Sequence, residues 1–172
     1  MSTRSFPCHE ASSALVLAPA DRVFACMDDS KALTSHMGES SMMLLGSRMS
    51  IDVDANGGRA VGSKIRMHGR MMGIPLSLEK VITERQVPAR KIWQTIETPN
   101  LVVMAHYCMG FELMPRGDAS MVRVFIGYSL PTTAPGSWPD RLLGGDYARW
   151  CTKQMAADDV RHFDSTRLIH AA

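Results

Sequence analysis

The four cysteines of this chain, Cys8, Cys26, Cys108 and Cys151, are never close enough in sequence to form a C-x-x-C pair. That spacing speaks against a zinc site or a disulfide framework and for buried, reduced thiols. Aromatic residues are scarce, with three tyrosines and five phenylalanines, and the net charge of +2 is spread along the chain. Nucleic-acid recognition needs a concentrated basic face, so no nucleic-acid partner is expected. No stretch approaches the ~20 apolar residues that cross a bilayer, so no membrane span is expected. The first ten residues, MSTRSFPCHE, lack the long apolar core of a secretory signal, and the expected location is cytoplasmic. P-loop, GxGxxG, HExxH and GxSxG patterns are missing too. No cofactor and no metal is expected, and no motif names a catalytic residue.

What is present is an ordinary globular composition, 45% apolar, in 172 residues. That length suits one domain with a sizeable core and is short for two. Residues 1–10 read as a flexible tail and 11–172 as a single domain. Ser12–Ala18 reads as a strand stopped by Pro19. In PADRVFACMDD the residues Val23, Phe24 and Met27 share one helical face, with Pro19 at the start where a missing N–H costs nothing. SKALTSHM, from Ser30, reads as a second short helix ending at Gly38. From Met42 the period changes to two, and turn signals recur at 56–58, 73–75, 87–89, 98–100 and 116–118. Six strands are expected between them, near 42–53, 61–72, 75–86, 90–97, 101–114 and 120–130, as an antiparallel meander. After the loop 131–140, Ser137 and Asp140 have capping-box spacing. A helix should then run to about Thr166, with Tyr147, Trp150, Cys151 and Met155 as its apolar stripe. Its polar side would carry Arg149, Lys153, Asp158 and Asp159, and Gly144-Gly145 should kink or divide it.

This order of elements, with PADRVFACMDDSKAL, VPARKIWQT and GFELMPRGDASMVRVFIGYSLP, resembles the START-like, or SRPBCC, superfamily. Within it the chain looks like the polyketide cyclase/dehydrase and lipid-transport group, over about Ser12 to Phe163. The resemblance implies an α+β helix-grip fold. A seven-stranded antiparallel curved sheet would wrap a long C-terminal helix, with two short helices after the first strand. It also implies a ligand cavity between sheet and helix. Members bind lipids, sterols, polyketides or hormones, and some are enzymes. The implied function is therefore binding or carriage of a bulky, mostly apolar small molecule. A cyclase/dehydratase-type or hydrolytic enzyme using the same cavity, or a protein-interaction module, are the alternatives.

The 14 methionines suit such a cavity, because a flexible, polarizable thioether re-packs around different ligands. Side chains alternate along a strand, so the apolar parity should face inward. That test selects Met67 and Met71; Leu76, Leu78 and Ile82; Ile92 and Ile96; Val103, Met109, Phe111 and Leu113; and Val122, Val124 and Ile126. Trp93 then falls on the outer face or rim. Pairing the hairpins puts Met67 opposite Lys80, Ile82 opposite Gln94, and Tyr107 opposite Tyr128 with Ile92 on its other side. Four polar groups result on an apolar concave face: Lys80, Gln94, Tyr107 and Tyr128. Lys80 and Gln94 would orient a carboxylate or carbonyl, and the tyrosines would donate hydrogen bonds. Met67, Met109, Phe111 and Tyr147 complete the expected ligand contacts. One β-bulge would shift this register. His68 and His106 are expected to face solvent, and Asp28-Asp29 and Asp158-Asp159 to be a cap and a solvated face.

Overall fold

The computed structural model describes residues 6–29, 49–71, 74–96, 105–130 and 138–170. Seven alternating segments pair as one antiparallel sheet: β1 (Cys8–Val16), β2 (Met49–Val53), β3 (Lys64–Met71), β4 (Ile74–Gln86), β5 (Arg90–Thr95), β6 (His106–Arg116) and β7 (Ala119–Ser129). The spatial order is β1-β7-β6-β5-β4-β3-β2, so the six later strands form the expected meander and the first strand joins its far end. The turn of Gly117 and Asp118 closes β6 onto β7, with Gly117 at φ 65, a conformation a β-carbon would strain.

Helix α1 (Ala20–Asp28) starts after Pro19 and buries Val23, Phe24 and Met27, as its apolar spacing predicts. Helix α2 (Trp138–His170) lies chiefly against β1 and β7. The hydroxyls of Ser12 on β1 and Thr152 on α2 meet at 3.0 Å, which fixes the inner face of the sheet. On that face Phe111 has no exposure and Phe24, from α1, has 2%. Their rings pack edge to face, 5.5 Å apart. Each such burial contributes about 2–3 kcal/mol relative to exposure. This is the helix-grip architecture.

Several boundaries differ from expectation. Cys8, His9 and Glu10, expected in a loose tail, pair with Tyr128, Gly127 and Ile126. Strand β7 extends that far, and its backbone donors and acceptors need partners. The segment from Ser30 to Gly38, read as a second short helix, lies outside the described residues. So do 42–48, 97–104 (with Val103) and the capping residue Ser137. Gly144-Gly145 does not divide α2, which runs unbroken through both. Packing against β1 and β7 outweighs the ~1 kcal/mol that each glycine costs a helix.

The largest correction lies in β5. The register shifts between Ile82 and Glu84, so Ile82 faces Trp93 rather than Gln94, and Lys80 faces Thr95. The bulge at Thr83 falls beyond Ile82, leaving Lys80 on the inner face and reversing the assignment of its neighbour strand. Lys91, Trp93 and Thr95 therefore point inward, and Ile92, Gln94 and, by parity, Ile96 outward. Ile92 is still only 8% exposed. The outer face holds an apolar patch of its own, built around Gly110. A β-carbon there would lie 2.6 Å from the Lys91 carbonyl oxygen and 2.8 Å from Phe125 Cζ. The guanidinium groups of Arg90 and Arg123 cover Phe125 at 5.8 and 5.7 Å from its centroid. Apolarity alone thus misassigned β5, because both faces of it are covered.

Candidate functional site

Lys80 sits mid-strand in β4, beside Ile65 of β3 and Thr95 of β5, both 2% exposed. Its Nζ lies 5.2 Å from the centre of the Trp93 ring, a cation–π distance. Among the described residues no carboxylate pairs with it. Burial, with a smaller contribution from the charge of Lys91, pulls its pKa down from 10.5 to about 8. Yet the residue keeps accessible surface and is only half-buried. Lys80 is thus strongly desolvated while part of its surface stays accessible. The same holds for Tyr107 on β6 and Tyr147 on α2, both half-buried. Desolvation raises both of their pKa values, so they remain phenols. Tyr147 is hydrogen-bonded to the Cys151 thiol one turn on, and burial pushes that thiol up to about 11.

Tyr107 pairs with Tyr128 across β6 and β7 as expected. Tyr128 is 4% exposed and turns toward β1 and α2, where a β-carbon on Gly145 would meet its hydroxyl oxygen at 3.6 Å. Ile92 is not on the other side of Tyr107. There the Thr95 hydroxyl accepts from the Tyr107 N–H at 3.2 Å and donates to its carbonyl at 3.4 Å. Met67 lies on the inner face of β3 opposite Leu78, not Lys80. Met109 is inner and 8% exposed, between Trp93 and Ile126. Phe111 has no accessible surface, and its ring stands 6.4 Å from that of Trp93. It props the tryptophan rather than touching a ligand. Gln94 is on the outer face, opposite Val81 and Cys108, and leaves the polar cluster. Trp93 and Thr95 take its place.

Sequence reasoning missed two buried carboxyl groups and the buried lysine that pairs with one of them. Asp28, expected to act as a cap beside Asp29, is 4% exposed. Lys91 donates to its Oδ1 at 2.7 Å and Arg85 to its Oδ2 at 2.7 Å. Burial works to raise the Asp28 pKa, but the hydrogen bonds from Arg85 and Lys91 outweigh it and hold the carboxyl below its usual range. Asp29, at the end of α1, pairs with Arg59 on the surface at 3.1 Å. Asp159, expected on a solvated face, is 8% exposed and its Oδ2 has no partner among the described residues. Burial first, and the neighbouring Asp158 second, raise its pKa to about 7. Only the periodicity of α2 could have signalled this, since Asp159 follows Met155 by four residues and so shares its face.

His68 is exposed, with Nδ1 3.6 Å from Asp52 Oδ2. His106 is half-buried, its Nδ1 3.4 Å from the Thr95 hydroxyl, so it is not the solvent-facing residue expected. A groove of about 330 Å³ opens on the outer face over Phe125, between Arg90, Glu112, Arg123 and His9. Both arginines are tied to Glu112 at 3.0 Å, and the groove is remote from Lys80 in the fold.

No family model and no curated protein matches the sequence. Solved structures do. The protein TTHA0849 of Thermus thermophilus is 15% identical, over 96% of this chain and 99% of that one, with a TM-score of 0.65. A START superfamily protein of Mycobacterium smegmatis is 14% identical, over 89% and 97%, with a TM-score of 0.60. Norcoclaurine synthase of Thalictrum flavum, in complex with dopamine and hydroxybenzaldehyde, is 16% identical over 89% and 83%, with a TM-score of 0.61. At such identities the likeness is one of fold: this chain has the START-like helix-grip fold.

Proposed function

We propose that the chain binds a bulky, mostly apolar small molecule, lipid- or polyketide-like, between the inner face of the sheet and α2. Lys80 engages a carboxylate or carbonyl at one end of it. The observation that carries this reading is Lys80 itself, a desolvated ammonium over Trp93 with no carboxylate partner among the described residues. An unpaired cation in such a place is costly, and a ligand anion or acceptor relieves that cost. Helix α2 lies chiefly against β1 and β7, and on the inner faces of β3 and β4 Met67, Leu78 and Lys80 keep accessible surface. Met67, Met109 and Trp93 supply apolar wall, and Tyr107 and Tyr147 supply phenol donors. The norcoclaurine synthase complex, which holds small aromatic molecules in the same fold, is consistent with this use. The reading takes the sheet, from Cys8 of β1 onward, and its helices as one ligand-binding domain of a cytoplasmic protein.

An environment-sensitive apolar dye should bind at about one per chain, and both fatty acids and neutral polycyclics should displace it. The substitution Lys80→Met should weaken acidic ligands by about 1–3 kcal/mol, the scale of a charged hydrogen bond, and leave neutral ones nearly unchanged. Equal affinity for both classes before and after the change removes Lys80 from the reading. If nothing apolar binds at tens of micromolar, about −6 kcal/mol, while a stable protein complex is recovered, the fold serves protein interaction instead.

One observation favours an enzyme of the cyclase/dehydratase kind. Tyr107 is a phenol held protonated by desolvation on the same face as Lys80, placed to donate a hydrogen bond to a developing oxyanion rather than to give up its proton. Turnover of a polyketide panel that is lost on Tyr107→Phe would establish it.

A further inference from the structure

The chemistry of Lys80 goes further than binding. We propose that Lys80 captures aldehyde-bearing apolar ligands covalently, as an imine on its Nζ. This inference rests on the apolar-ligand reading above and adds a bond to it.

The geometry distinguishes Lys80 from the other lysines among the described residues. Its amine stands over the Trp93 face at 5.2 Å, on the inner side of β4, with Ile65 and Ile82 beside it. Lys91, the other inner-face lysine of the described residues, is lowered in pKa by burial as well, but its amine is taken up by the Asp28 carboxylate at 2.7 Å, which opposes that shift. Lys64 is 56% exposed over its side chain and pairs with Glu79, and Lys153 is exposed on α2. An amine that is desolvated and next to a second cation is activated as a nucleophile, since both influences favour its neutral form. With a pKa near 8, the neutral fraction around pH 7.5 exceeds that of an ordinary lysine by about two hundredfold.

The step balances without an outside oxidant or reductant. The neutral Nζ adds its lone pair to the carbonyl carbon, forming a C–N bond. The carbonyl oxygen takes up a proton and the nitrogen gives one up to solvent. Loss of water from that carbinolamine leaves the imine, and hydrolysis reverses it. Trp93 offers a π face against which an aromatic or unsaturated aldehyde can lie.

The test uses the full chain with 4-hydroxybenzaldehyde and cyanoborohydride, which delivers hydride to an imine and leaves a secondary amine. Peptides are mapped by tandem mass spectrometry at several pH values, and dye binding is measured in parallel. The expected result is one adduct per chain on Lys80, formed at least about tenfold faster than on Lys64 or Lys153. It should be lost in both Lys80→Arg and Lys80→Met. Circular dichroism checks that each variant folds, and the wild-type map stands even if one does not. Labelling of Lys80 no faster than of Lys64 and Lys153, with dye binding intact, overturns the covalent capture and leaves apolar binding standing. Neither selective labelling nor dye binding overturns both. Selective labelling without dye binding overturns only the apolar-ligand reading.

Discussion

Two lysines on the inner face, one strand apart, meet opposite fates. Lys91 is 2% exposed and is matched by Asp28, which Arg85 also grips, so α1 is fastened to the sheet by charge. Around it Phe24 and Phe111 exclude solvent, and this corner is ordinary core. Lys80 keeps accessible surface, meets a ring rather than an anion, and shares the inner face with half-buried Tyr107. A buried ion with a built-in counter-ion has its interaction energy committed to folding, whereas Lys80 has no carboxylate partner among the described residues and, in the proposed reading, meets one on a ligand. Asp159 is a third case, a carboxyl buried on α2 whose Oδ2 has no partner among the described residues and whose pKa burial raises to about 7.

The paired corner should break hardest. Asp28→Asn leaves Lys91 buried beside a neutral amide and should cost about 3–5 kcal/mol, measured by urea unfolding. A loss below about 1 kcal/mol would mean that water reaches that corner and that the contrast is false.

The unpaired carboxyl should show itself in pH dependence. The Asp159 pKa is raised from 3.8 to about 7, so the folded chain holds an extra proton between those values. Its contribution is fully present below the unfolded pKa and is lost as pH rises through 7. Asp159→Asn should therefore stabilise by about 1–3 kcal/mol near pH 8 and by almost nothing near pH 4. Identical unfolding midpoints for both proteins at both pH values would refute this.

Lys80 should show the opposite slope. Its pKa is lowered from 10.5 to about 8, so between those values the unfolded chain binds more protons and stability rises with pH. Lys80→Met should remove that rise and stabilise the chain by about 1–2 kcal/mol at neutral pH, where the wild-type amine is held charged at a cost. A destabilised variant would indicate a counter-ion. The surface gives the baseline. Arg66 meets Glu79 at 3.2 Å with 68% of its side chain exposed, and Arg66→Ala should shift stability by at most about 0.5 kcal/mol.

Much of the fold was legible because periodicity is a local property. The alternation of β3, the spacing of Val23, Phe24 and Met27, and the Arg116-Gly117-Asp118 turn each follow from a few adjacent residues. The site was legible only in part. Lys80 was found because the bulge lies beyond Ile82, and the Tyr107–Tyr128 pair because the β6–β7 hairpin has no bulge. Gln94 was misplaced because an extra residue at Thr83 is invisible to alternation, and Ile92 looked inward while Trp93 looked outward.

The sequence by itself determined which segments become strands and helices, how the hairpins follow one another, and that a lysine stands mid-strand in β4. Those outcomes depend on backbone preference and on polarity at short spacing. Only the tertiary structure decided that Lys91 meets Asp28, 63 positions away, while no carboxylate among the described residues meets Lys80. It also decided that Trp93 rather than Gln94 shares the face with that amine. Desolvation and ion pairing depend on what surrounds a group in space, and residues far apart in the chain supply those surroundings.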